Sequence, residues 1–281
     1  MFQAVNGVVL TGVVAVTLFP FLNIIARSFS AEDRIRAGRV TLLPEGFNLT
    51  TYRIVLHDAM FWRNYGNTVL YTVVATAIAM VLTTCYAYVL AKPRLKGRGA
   101  LVGIAVFTMF FSGGLIPNYV LITSLGMKNT LWAMVIPNAI SVFNLLVMKA
   151  FFESLPTELE EAAQIDGLST YGILLRIVLP LSKAVIATMV LFYSVSFWNS
   201  WFTAFLYLDR AEALPVTVYL RNLIAGATGG RGAGAETDQL TQVAANIQSV
   251  TIVLTALPIL LVYPFVQRYF VSGVMLGAVK G

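Results

Sequence analysis

Long apolar windows separated by polar connections set the pattern of this chain. Residues 1–26, 64–91, 99–127, 129–148, 184–208 and 239–267 contain no Asp, Glu, Lys or Arg. Each is long enough to cross a hydrocarbon core as helix, which takes about 20 residues. A charge at mid-bilayer costs at least about 2.5–3.5 kcal/mol, so charge-free stretches of this length point to a lipid solvent. The pattern predicts six transmembrane helices, at about 5–25, 67–91, 101–121, 131–151, 185–207 and 248–269. The fold class is therefore an all-α integral membrane protein, with residues 1–281 forming a single transmembrane domain. The first window lacks a basic flank and a small-residue cleavage site, and is read as an uncleaved first helix.

Several windows carry helix breakers. Phe111-Ser112-Gly113-Gly114-Leu115-Ile116-Pro117 interrupts the third, Pro137 lies in the fourth, and Pro258 and Pro264 lie in the sixth. Irregular backbone at membrane depth persists only where it is buried in protein or lines a wet cavity, and the Gly-Gly with its nearby proline is the best candidate for a true break. Two connections are long, 27–66 and 209–247. Lys92, Arg94, Lys96 and Arg98 crowd the connection between the second and third windows, which the positive-inside rule makes cytoplasmic. Alternation then puts both termini and residues 153–183 inside and both long connections outside.

Composition agrees. The chain is 58% hydrophobic and 11% charged with mean hydropathy +0.79, where soluble domains carry about a quarter of their residues as charges. The net charge of +6 sits in connections flanking the windows, which fits lipid headgroups and topology and gives no nucleic-acid surface. The single Cys85 and single His57 fall in unrelated places, so neither a cysteine-based metal site nor a His-assisted nucleophile can be assembled, and no metal or catalytic residue is expected. The dipeptide Gly-Lys occurs nowhere, so the chain has no phosphate-cradling P-loop of its own. With no Asp, Glu, Lys or Arg inside these windows, a proton-coupled carrier is disfavoured, while a sodium-coupled secondary carrier stays as an alternative.

The most informative stretch lies between the fourth and fifth windows. Thr157 followed by Glu160 fits a capping box, the acidic residues suit the start of a helix, and Gly167 fits the left-handed position that ends one. A short inner-surface helix at about 158–167 is predicted. Within it and after it stand Glu161-Ala162-Ala163, Gly167, Ile177 and Leu179-Pro180. This resembles the cytoplasmic loop signature of bacterial ABC importer permeases, the EAA motif, at all seven fixed positions over 20 residues. The Trp198-Asn199 pair and the tail Gly273-Val274-Met275-Leu276-Gly277-Ala278-Val279-Lys280-Gly281 are similar to the carbohydrate-uptake branch, nearest the smaller permease of maltose-type and oligosaccharide transporters.

The resemblance implies a type I ABC importer permease fold in a bacterial inner (plasma) membrane. It also implies a coupling helix that meets an ATPase through Glu161, Ala162, Ala163, Asp166 and Gly167, with Ile177, Leu179 and Pro180 structural. Implied partners are a second homologous permease, two ATPase subunits that hold ATP and Mg, an extracytoplasmic solute-binding protein and lipid. It further implies that the last outer loop, with Gly229, Gly230, Arg231 and Gly232, contacts the binding protein, although its glycines equally suit a plain flexible connection. Relatives often carry a short basic segment before the first span, which is lacking here.

A sugar path needs amides and hydroxyls beside aromatic faces. Asn118, Tyr119, Asn138, Asn144, Tyr193, Trp198, Asn199 and Trp201 lie within apolar windows and are the candidates, with an interfacial aromatic belt as the competing role for the two tryptophans. Arg27, Arg34, Arg36, Arg39, Arg53 and Arg63 in the first outer connection suit an acidic oligosaccharide, and suit headgroup contact as well. A permease of the same family for a non-sugar solute is the second alternative.

Overall fold

The computed structural model describes residues 2–229 and 246–261. Among these, every regular element is helical. In chain order they are α1 (Phe2–Ser28), α2 (Glu32–Arg36), α3 (Thr50–His57), α4 (Ala59–Ala91), α5 (Arg98–Phe110), α6 (Leu115–Ser124), α7 (Leu131–Asn138), α8 (Val142–Glu153), α9 (Thr157–Ile165), α10 (Thr170–Leu181), α11 (Lys183–Trp198), α12 (Trp201–Tyr207), α13 (Val216–Gly229) and α14 (Asn246–Leu261). Among the described residues α1 and α4 can each cross a bilayer by length and composition, and the number rises to five if each of three bent helix pairs is one span.

The bends have local causes. α5 and α6 meet at 111° across the Gly-Gly sequence. Gly114 adopts φ 93°, ψ 169°, a region that only glycine occupies without strain. Pro117 falls in the first turn of α6, where its missing N–H has no partner to lose. The break expected at Phe111–Pro117 is therefore real. α7 and α8 meet at 54°, with Pro137 in the closing 3-10 turn of α7 and Ser141 capping α8 by accepting from the Asn144 N–H. The fifth window, expected as one helix, divides at Asn199–Ser200: Asn199 Nδ2 donates to the Val195 carbonyl at 2.9 Å and Ser200 Oγ to the Phe197 carbonyl at 2.6 Å. Side chains that satisfy carbonyls in this way compete with continuation of the helix.

The described residues form two compact units. One comprises residues 2–66 with 215–229 and 246–260, the other residues 67–214 with Leu261. In the first, Val55, Phe61, Val216 and Leu220 form a buried cluster backed by Tyr219 and Leu254. α13 is an element the sequence pattern does not predict, because at 14 residues with Arg221 inside it is too short and too polar to resemble a span. α4 begins eight residues before the expected 67, since Asp58 stops α3 and its carboxylate accepts from the Met60 N–H at 2.8 Å. α1 has no buried residue in its most apolar 18-residue stretch, the surface expected of a helix whose surroundings are lipid or another chain.

In the second unit the main core gathers Leu90, Leu145, Met148, Phe152, Ile173, Val178 and Met189 from α4, α8, α10 and α11. A second cluster joins Ala75 and Ala79 of α4 to Val135, Tyr193 and Phe197. The alanines let helices approach closely, the packing device used where apolar burial alone does not drive association.

Candidate functional site

α9 is an exposed helix anchored to the second unit along one face. Its capping box is not formed. Pro156 occupies the N-cap without a side-chain bond, and Glu160 turns away to pair with Lys92, the residue just after α4. Lys92 also lies over the Tyr88 ring, 4.0 Å from its centroid. An opposite charge and an aromatic face together outweigh one weak backbone bond, which explains why the cap is forgone. The other end closes as the sequence predicts. Gly167 takes φ 80°, its N–H donates to the Gln164 carbonyl at 3.0 Å, and the Leu168 N–H donates to the Ala163 carbonyl at 3.0 Å. This paired 5→2 and 6→1 pattern is the Schellman closure.

The two faces of α9 differ. Ala163 is 3% exposed and packs with Tyr88, Ala91, Phe152 and Ile173 in the main core. Glu161, Ala162, Asp166 and Gly167 are exposed, and Ile165 is 87% exposed. The expected coupling residues thus divide: Ala163 anchors the helix and the others face outward. Leu159 and Tyr171 add to the exposed apolar surface nearby.

Ile177, Leu179 and Pro180 lie in α10, whose Leu174–Val178 segment is π-helical. Pro180 supplies no N–H to the carbonyl four residues back, and a widened turn absorbs the mismatch. Ile177 and Leu179 pack on the main core. α10 meets α11 at 85° at Ser182, whose hydroxyl is buried without a partner.

Two cavities hold four of the eight expected path residues, Asn118, Asn138, Asn144 and Tyr193. One, of about 380 Å³, is lined by Asn118, Pro137, Asn138, Phe202, Thr203 and Tyr207 among others. The second, of about 490 Å³, is lined by Asn138, Ser141, Asn144, Phe192, Tyr193 and Ser196 among others. Both volumes fall in the range of small-ligand sites. Asn138 lines both, so α7's last turn stands between them. Neither lining contains a charged residue. Tyr193 is only 2% exposed, and its hydroxyl is engaged with Thr83 Oγ1 at 2.6 Å while accepting from the Ser141 N–H at 2.9 Å. It braces the cavity wall more than it offers a free donor.

Tyr119, Trp198 and Asn199 line neither cavity. Trp198 is buried, Asn199 spends its amide on the end of α11, and Tyr119 stacks on Tyr207 with centroids 6.0 Å apart. Trp201 packs edge-on against Phe202. Ser141, Ser196 and Thr203 are cavity residues that the sequence left unmarked, because hydroxyls are too common in apolar helices to stand out. Gly229 ends α13, and Gly230, Arg231 and Gly232 lie outside the described residues, as do Pro264 and the tail.

Beside Tyr119 and Tyr207 sits a polar lock. Lys128 Nζ lies 2.9 Å from Asp209 Oδ2 and donates to Tyr119 Oη at 3.2 Å. Asn129, held at φ 60°, accepts from the Asp209 N–H at 2.6 Å and donates to the Tyr207 carbonyl through its own N–H at 2.9 Å. The hydrogen bond to Asp209, helped by Tyr119, holds the Lys128 ammonium above its ordinary value. The bond from Lys128, helped by Asn129, holds the Asp209 carboxyl below its own.

Residues 95–276 match the family described as "Binding-protein-dependent transport system inner membrane component". Over the whole chain and 95% of the relative, the sequence is 42% identical to Protein LplC of Bacillus subtilis (strain 168). It is 39% identical to the polygalacturonan/rhamnogalacturonan transport system permease protein YtcP of the same organism, over 95% of this chain and 93% of that one. A chain of the crystal structure of a bacterial ABC transporter involved in the import of the acidic polysaccharide alginate superposes with TM-score 0.86 at 34% identity, covering 96% of both chains.

Proposed function

Since this chain belongs to the family of binding-protein-dependent transport system inner membrane components, we propose that it forms half of the translocation path for an oligosaccharide built from acidic sugars. Permeases of this family are not catalytic themselves and work with an ATPase and a solute-binding protein. The finer assembly is part of the proposal: a second, homologous permease, two ATPase subunits holding ATP and Mg, and both termini on the cytoplasmic side. Closure of the ATPase pair displaces α9, and the path switches between faces.

The observation that carries the substrate is the full-length similarity to the polygalacturonan/rhamnogalacturonan permease, joined by that to the alginate importer. The cavities support it. Asparagine amides and hydroxyls match sugar hydroxyls, and the exposed Phe192 and Phe202 offer faces to C–H surfaces. A lining without charge places no fixed cation on a uronate carboxylate, so amides, hydroxyls and water must solvate it, and a transported molecule held this way can leave.

The test is ATP-driven uptake into proteoliposomes holding the complete complex with its binding protein, offered labelled oligogalacturonate, oligoalginate and a neutral glucan of equal length. Uptake of one or both acidic chains in preference to the glucan is expected. Preference for the glucan overturns the acidic assignment. Uptake driven by a sodium gradient without ATP overturns the importer reading altogether.

A further inference from the structure

We infer that Glu160 and Lys92 form the strut through which movement of α9 reaches α4. The inference rests on the reading of α9 as the element that meets the ATPase, and assigns a role to two residues beside the signature rather than in it.

Three features support it. Glu160 stands in the first turn of α9, where its carboxylate would ordinarily serve the helix's own N–H groups, yet it pairs with Lys92. Lys92 is held from several sides: by the carboxylate, by the Tyr88 ring, and by the end of α4, whose carbonyls favour a cation. Tyr88 is itself fixed edge-on against Phe152 of α8, with centroids 6.3 Å apart. Both charged side chains are at most one-third exposed, so water screens the pair less than a surface bridge.

Geometry explains why a strut is needed. Apart from the pair, α9 itself enters the main core through the small Ala163, with Leu155 and Leu168 of the turns at its two ends packed beside it. A charge pair resists both pulling and sideways motion, because its energy depends on where both partners sit. Neighbouring pairs extend the connection. Arg98, at the start of α5, pairs with Glu153 at the end of α8 and donates from Nε to the Leu90 carbonyl of α4 at 2.7 Å, while Lys149 holds the other Glu153 oxygen at 2.8 Å. The cavity of about 200 Å³ between Tyr88, Lys92, Thr157 and Glu160 leaves room for the strut to tilt.

Lys92 and Glu160 are positioning residues, and the readout is substrate imported per ATP hydrolysed by the reconstituted complex. Glu160→Lys and Lys92→Glu are each expected to lower that ratio about tenfold, as loss of about 1.4 kcal/mol of coupling would. The double swap should recover to within about threefold of the parent, and Lys92→Arg should keep the ratio. If charge reversal lowers the yield of assembled complex, Glu160→Gln and Lys92→Met, compared per recovered complex, decide the same question. Singles with the parent ratio, or a double swap no better than its worse single, overturn the strut. Ile165→Asp on the exposed face separates the underlying reading. If it retains ATPase binding and normal import, the docking role of α9 fails; if it uncouples while the strut variants do not, only the strut fails.

Discussion

Replacement of Gly167 tests the closure of α9 most directly. The residue sits at φ 80°, and a Cβ built on it meets nothing within 4 Å. Size is therefore not the obstacle within this chain, and backbone conformation is. An L-residue in the left-handed region costs about 1–2 kcal/mol, less for asparagine and more for a β-branched side chain. The two closing bonds, each 3.0 Å, depend on that conformation. A loss of about 1–2 kcal/mol changes the population of the closed helix end by roughly 5–30-fold. Substitution should thus lower uptake per ATP in the order Asn, Ala, Val, with Asn mildest although it is larger than Ala. The assay is paired measurement of sugar uptake and phosphate release in proteoliposomes. An order that follows volume, with Asn worse than Ala, would refute the conformational argument and mean that a partner surface lies against the Gly167 Cα. Parent-like coupling in Gly167→Val would refute the role of the closure itself.

Two further outcomes follow from the hydrogen bonding. Tyr193→Phe strands the buried Thr83 hydroxyl and the Ser141 N–H, and should cost about 1–3 kcal/mol, seen as a lower thermal unfolding midpoint of the purified complex; an unchanged midpoint would mean that water from the adjoining cavity replaces the phenol. For Asp209, the depressed carboxyl pKa makes the Lys128 pair a contribution that is present above the unfolded value and lost only as pH falls through the folded one. The difference in thermal midpoint between the parent and Asp209→Asn should stay constant from about pH 8 to about pH 5 and shrink in stronger acid, and a difference that vanishes by about pH 6 would refute the assignment.

The sequence by itself determined the solvent of this protein and the ends of its key elements. Runs without charge dictate lipid-facing helices, because the cost of a buried charge acts on each window alone. The break at Gly113-Gly114 and the closure at Gly167 were legible for a similar reason: both are backbone conformations that one residue type permits locally. Where a side chain chooses between partners, the sequence did not decide. Thr157 and Glu160 carry the spacing of a capping box, but Lys92, 68 positions away, captures the carboxylate. α13 is too short to declare itself and is held by Val55, Phe61 and Leu254. Trp198 and Asn199 have the composition of a sugar path, yet neither lines the cavities, whereas Ser141 and Thr203 do. Those outcomes depend on contacts between distant segments, and such contacts exist only once the helices have packed.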